Sequence, residues 1–141
     1  MELKTRQFGK VEIDETKIIT MPLGIPGFSD KKKYVLLQRE ETAPFYLFQC
    51  VDDPDLAFII IEPTRFFPEY TIAEEQLNKF VSWNLSKEDF SCFVIVTIPK
   101  GNPEKMTANF IAPLIINNQL KEGIQLIFED SSYSHQHMLL N

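Results

Sequence analysis

His135 and His137 stand two residues apart near the end of the chain, a spacing that puts two imidazoles on one face of an extended segment. Zinc takes three or four protein ligands, and no third ligand sits nearby at a recognisable spacing, so the pair reads as part of a solvent-exposed tail. Asp52, Asp53 and Asp55 offer the hard oxygens that calcium prefers. The calcium-loop pattern is absent, lacking its Gly and its closing Glu, and with Pro54 among them these residues read as a turn. The spacings G-x-S-x-G, G-x-G-x-x-G and G-x-x-x-x-G-K-[ST] do not occur, which removes the nucleophile elbow, the dinucleotide fold and the phosphate loop together. Gly24-Ile-Pro-Gly27 is no phosphate cradle, because Pro26 lacks the N–H such a cradle needs. The adjacent carboxylates Glu74/Glu75 and Glu129/Asp130 diverge on any regular element and make weak acid–base pairs. No metal or cofactor is expected, and the residues favour a binding protein over an enzyme. The alternative is a small enzyme or ligand-binding barrel that uses a polar mouth near Glu62, Tyr70 and Asp130.

The elements that must position these residues are short and extended. Leu3, Thr5 and Gln7 alternate with charged or aromatic neighbours, and Gly9 punctuates before Val11 and Ile13, which predicts two strands around a tight turn. A β-branched run, Thr16 to Thr20, follows and is stopped by Pro22, Gly24, Pro26 and Gly27, a density of breakers that forces a structured loop. Tyr34 to Leu37 and Phe45 to Val51 read as strands separated by the turn-like Glu40 to Pro44. Ala57 to Glu62 returns as a buried strand after the aspartate turn. A capping box at Thr71 to Glu74 and apolar residues Ile72, Leu77, Phe80 and Val81 predict a helix to about Trp83, and Ser86 to Asp89 is a second, weaker cap signal. Cys92 to Ile98, Phe110 to Asn117 and Ile124 to Phe128 complete the series. Closely spaced strands without βαβ alternation predict a mostly β, antiparallel, single-domain sandwich or barrel with one or two short helices. The polar segment after Asp130 is either a mobile tail or a docked cap.

Composition narrows the function. The chain has 141 residues, 44% hydrophobic and 24% charged, with a net charge of −6, which disfavours nucleic acid and anionic lipid as direct partners. Charge is uneven: from Glu40 to Glu75 nine acids face one base, Arg65, and the basic cluster is Lys31, Lys32 and Lys33. Such a stretch, with Glu40, Glu41, Asp52, Asp53, Asp55 and Glu62 as candidate contacts, favours a basic partner. Leu56 to Ile61, the longest apolar run, is far too short to span a bilayer, and the N-terminus lacks a secretory apolar core, so a cytoplasmic location is expected. Cys50 and Cys92 sit in apolar runs and read as buried thiols rather than a disulfide.

Longer blocks carry a resemblance. GIPGF at Gly24 to Phe28, PFYLFQCVDDPDLAF at Pro44 to Phe58, IVTIP at Ile95 to Pro99, T-x-N-x-x-AP-x-x-IN from Thr107 to Asn117 and QLIFEDSSY from Gln125 to Tyr133 occur in this order along nearly the full length. The ordered set resembles the flagellar assembly factor FliW family. That resemblance implies a bacterial cytoplasmic regulator built as a compact β pseudo-barrel. It also implies two protein partners: flagellin, held before export, and the carbon storage regulator CsrA, a dimeric translational repressor of flagellin synthesis. It implies no catalysed reaction and no cofactor. Within the blocks, Gly24 and Gly27 are expected to give backbone freedom, and Pro113 and Asn117 to mark strand ends.

Overall fold

A computed structural model describes residues 1–72, 90–128 and 136–139 of the chain. They form β1 (Glu2–Thr5), β2 (Gly9–Glu12), β3 (Ile19–Thr20), β4 (Lys33–Leu37), β5 (Tyr46–Cys50), β6 (Ala57–Ile61), β7 (Phe90–Thr97), β8 (Thr107–Ala108), β9 (Leu114–Asn117), β10 (Glu122–Gln125) and β11 (His137–Met138). The predicted helix to Trp83 and the second cap at Ser86 to Asp89 lie outside the described residues, apart from Thr71 and Ile72.

β1 and β2 make a separate hairpin, while the others follow the order β11-β8-β7-β6-β5-β4-β3-β10-β9. β9 also pairs with β7, so the seven strands from β7 through β4 to β9 close into a barrel. Among the described residues every pairing is antiparallel except one: β10 runs parallel to β3, with Glu122 opposite Thr20 and the Thr20 N–H donating to the Lys121 carbonyl at 2.8 Å. Closure leaves no open edge around the ring itself.

The period-two pleat sorts the side chains of each strand into two layers. Tyr34, Phe48, Cys50, Ile60, Phe93, Leu114 and Ile116 form one cluster, the barrel interior. Tyr34 and Phe48 stack there with ring centroids 4.6 Å apart and planes 4° from parallel. The opposite faces are also apolar. Val35 packs under Leu3 and Ile13, so the β1–β2 hairpin covers β4 from outside. Ile61, Val94, Val96 and Ile115 pack with Tyr70, Ile72, Phe110 and Leu126, which cover β6, β7 and β9.

Several boundaries differ from those read in the sequence, among them the start of β7, which lies at Phe90 rather than Cys92. Of the β-branched run only Ile19 and Thr20 extend a strand; Glu15–Lys17 winds into a 3-10 turn because the Asp14 carboxylate accepts from the Thr16 N–H at 2.9 Å. Phe110 to Ala112 turn rather than extend, since the Asn109 side chain accepts from the Ile111 and Ala112 N–H groups, both at 3.2 Å, and β9 begins after Pro113. β10 starts two residues earlier than Ile124, placed by its parallel pairing to β3. At the other end, His137 and Met138 pair with β8, so residues 136–139 return to the sheet.

The Pro/Gly loop between β3 and β4 is tightly built. Gly24 has φ +65°, and a Cβ there would meet the Ser29 Cα at 2.6 Å; Gly27 has φ +90° with open space around it. Gly24→Ala therefore combines left-handed strain with a backbone collision. It should cost about 2–4 kcal/mol in urea unfolding, against about 1 kcal/mol for Gly27→Ala, which carries the strain alone. Equal losses for the two variants would contradict this account of the loop.

Candidate functional site

The acidic residues singled out in the sequence do not share one surface. Glu40 and Glu41 lie exposed in the 3-10 turn before β5, and Asp52, Asp53 and Asp55 lie in the turn after it. The five residues of β5 hold the two groups roughly 16 Å apart, at opposite ends of the barrel. Glu62 follows β6, whose antiparallel register sets Ile60 beside Tyr46, so Glu62 returns to the Glu40 end.

The two ends differ in their bases. The Val51 N–H donates to the Lys33 carbonyl at 2.8 Å, which places the aspartate turn beside Lys31, Lys32 and Lys33. At the other end the Arg39 guanidinium lies 4.3 Å from the centre of the Phe8 ring and donates to the Phe8 carbonyl at 3.2 Å. Among the described residues no ion pair involves Glu40, Glu41 or Glu62; the one present joins the N-terminal ammonium to Glu12 at 2.7 Å.

The aspartate turn has a fixed shape, and the residue that fixes it was not recognised in the sequence. Gln49 is fully buried. Its Nε2 faces the carbonyls of Cys50, Asp53, Pro54 and Leu56 at 3.1, 3.0, 3.3 and 3.1 Å. An amide with two N–H groups among four acceptors must point its nitrogen this way, since the oxygen would repel them all. Among the described residues its Oε1 has no hydrogen-bond partner. The Asp53 carboxylate adds a bond from the Asp55 N–H at 3.0 Å, and the Arg6 N–H ties the Pro54 carbonyl to the hairpin at 3.0 Å. The sequence signal was a lone uncharged polar residue inside an apolar strand, three residues before the turn.

The polar mouth weighed as an alternative exists in part. Glu62 and Tyr70 line one cleft of about 360 Å³ together with Ser91 and Cys92, whereas Asp130 lies outside the described residues. The groups there are already engaged: the Tyr70 hydroxyl donates to the Phe110 carbonyl at 2.8 Å, and Ser91 is hydrogen-bonded to Asn118. Desolvation pushes the half-buried Cys92 thiol up to about 12, which disfavours the thiolate at neutral pH. Among the described residues of that lining no second carboxylate accompanies Glu62. Among the described residues no three His, Cys, Asp or Glu side chains gather as metal ligands, and His135 lies outside them. No helix among them is long and apolar enough to cross a membrane.

Comparison with known proteins agrees with the geometry along the whole chain. The family model described as "FliW protein" matches residues 2–139. The flagellar assembly factor FliW of Natranaerobius thermophilus is 36% identical over 141 residues, covering 100% of this chain and 93% of that one. Its counterpart from Caldanaerobacter subterraneus is 39% identical over 145 residues, covering 99% of this chain and 93% of that one. The solved "Crystal structure of the flagellar assembly factor FliW" superposes with a TM-score of 0.87 at 34% identity, covering 100% of this chain and 98% of the other.

Two expectations follow from the site chemistry. Gln49→Met removes the side-chain donor that four inward carbonyls share, although those of Asp53, Pro54 and Leu56 keep a backbone N–H, and should lower stability by about 1–3 kcal/mol. Gln49→Glu places a carboxylate among the same carbonyls, which raises its folded pKa; stability is then retained in acid and lost as pH rises past the ordinary carboxylate range. Urea unfolding should find Gln49→Glu much closer to the unaltered protein at pH 4 than at pH 7, and no pH dependence of that difference would contradict the clamp. Burial also pushes the Cys50 thiol up, and the Tyr34 hydroxyl up to about 12. The folded state thus keeps protons that the unfolded chain releases from about 9 for Cys92 and 10 for Tyr34, so their stabilising contribution is lost as pH rises toward 12. Thermal melts should fall across that window. Of the two thiols expected to be buried, Cys50 is, whereas Cys92 is half-buried because it lines the cleft; a thiol reagent at pH 8 should label Cys50 only after unfolding, and its rapid labelling in the native protein would contradict its burial.

Proposed function

The chain belongs to the FliW family of flagellar assembly factors, and from that premise we propose that it regulates flagellin supply by binding two proteins in turn. One is flagellin, which it holds as a chaperone before export. The other is the translational repressor CsrA, which it sequesters once flagellin has left, relieving repression of flagellin synthesis. The protein acts in the cytoplasm as a single domain spanning residues 1–141, without catalysing a reaction. The observation that carries this reading is the full-length match in both sequence and fold.

The charge distribution supports it. A repressor that holds RNA presents Lys and Arg, and an acidic protein of net charge −6 complements such a surface. We assign the electrostatic contact to Asp52, Asp53 and Asp55 at one end of the barrel and to Glu40, Glu41 and Glu62 at the other. A switch of this kind needs the two partners to exclude one another, by overlap or by negative coupling, and linkage requires that each weaken the other by the same factor.

Titration of flagellin into a preformed complex with CsrA should displace the repressor, with reciprocal affinity changes. A stable three-protein complex at saturation overturns mutual exclusion. In the same assay, neutralising either acidic group, by Asn at the aspartates or Gln at the glutamates, should slow repressor association and flatten its salt dependence. The group whose neutralisation leaves both unchanged is only a solvated rim.

A further inference from the structure

The outer face of the barrel is covered at β4 by the hairpin and around β7 and β9 by the segment through Tyr70 and Phe110. Among the described residues a groove of about 340 Å³ lies between those covers, over a floor in which Leu47 is buried and Phe45 and Ile59 are half-buried. Its floor is Phe45, Leu47 and Ile59, outward-facing positions of β5 and β6 and the residue preceding them; Phe8 of the hairpin and Ile98 beyond β7 form its walls, and Glu41 sits on its rim. Ile98 is 39% exposed, a large aliphatic side chain without full cover.

The chemistry of this lining restricts what can occupy it. β5 is hydrogen-bonded to β4 on one side and β6 on the other, and β6 to β5 and β7, so the floor has no free strand edge. An extended peptide laid there would leave its own N–H and C=O groups unpaired against apolar side chains, at a cost of about 1–3 kcal/mol for each group buried. An α-helix satisfies its backbone internally and presents only side chains. The charged residue of the lining is Glu41, and Glu40 stands exposed next to it, while Arg39 is turned onto Phe8. A carboxylate with no ion-pair partner among the described residues, at the rim of an apolar groove, complements a cation on the helix flank.

We infer that this groove receives an amphipathic α-helix of a partner protein, with large apolar residues at helical spacing along one face and a Lys or Arg beside them to meet Glu41. The inference rests on the reading that the protein works by binding other proteins, and it adds the surface and the form of the ligand.

The test uses the full chain and two fluorescein-labelled peptides of identical composition. One carries leucines at i, i+3, i+4 and i+7 with lysines elsewhere; the other scatters the same leucines around the helix. The first peptide should bind the unaltered protein at least tenfold more tightly than the second. Ile98→Glu should weaken it at least tenfold and Glu41→Lys several-fold, while Leu23→Glu, on the exposed loop between β3 and β4, should leave it unchanged; thermal melts confirm that each variant is folded. No binding, equal binding of the two peptides, or unchanged binding to Ile98→Glu overturns the groove assignment. Purified flagellin and CsrA are run against the same variants. Failure of both to bind the unaltered protein counts against the proposed function, and the peptide result decides the groove independently.

Discussion

The strands at the centre of this protein are apolar on both faces, and that constraint shapes everything around them. β5, β6 and β7 place Phe48, Ile60 and Phe93 inside the barrel and Leu47, Ile59 and Val96 outside it. Closing the ring through β7–β9 and the parallel β3–β10 pair settles the inner faces. It does nothing for the outer ones, because every outward Leu, Ile or Val left in water forgoes about 1.5–3 kcal/mol of burial. The β1–β2 hairpin, the segment through Tyr70 and Ile72 and the turn through Phe110 are therefore outer covers required by the strand composition. The groove over Leu47 and Ile59 lies between them.

Two loops at one end of the barrel are built to hold one shape. Gln49 collects four carbonyls around a single nitrogen under the aspartate turn, and Gly24 lets the β3–β4 loop close against Ser29. Loops fixed in the free protein have little conformational entropy left to lose when a partner arrives. Both loops lie at the same end of the barrel, where Val51 bonds to Lys33, so that end presents one surface of fixed shape.

Much of this was legible in the residues, and the rest was hidden for a physical reason. The strands Lys33–Leu37, Tyr46–Cys50 and Ala57–Ile61 follow from β-branched and aromatic runs bounded by turn residues, which are local signals. The ordered blocks identified the family. What stayed hidden depends on partners distant in sequence. The parallel β3–β10 pair joins residues about a hundred positions apart and shifts β10 by two residues. The acidic stretch looks continuous in the chain, yet antiparallel pairing sends Glu40, Glu41 and Glu62 to one end and the aspartates to the other, beside lysines from a different loop. Gln49 reads as an interruption of an apolar strand until the carbonyls that converge on it are known.

The central claim, which rests on the two proposals above, is that partner recognition uses the groove on the outer face of β5 and β6 as well as the charged ends. The most direct measurement is methyl NMR of the full chain, labelled at Leu and Ile, during titration with purified flagellin and, separately, with CsrA. The account predicts that in at least one titration the signals of Leu47, Ile59 and Ile98 shift together, while buried interior methyls such as Ile60 and Leu114 stay in place. Binding of both partners with Leu47, Ile59 and Ile98 all unmoved would contradict it.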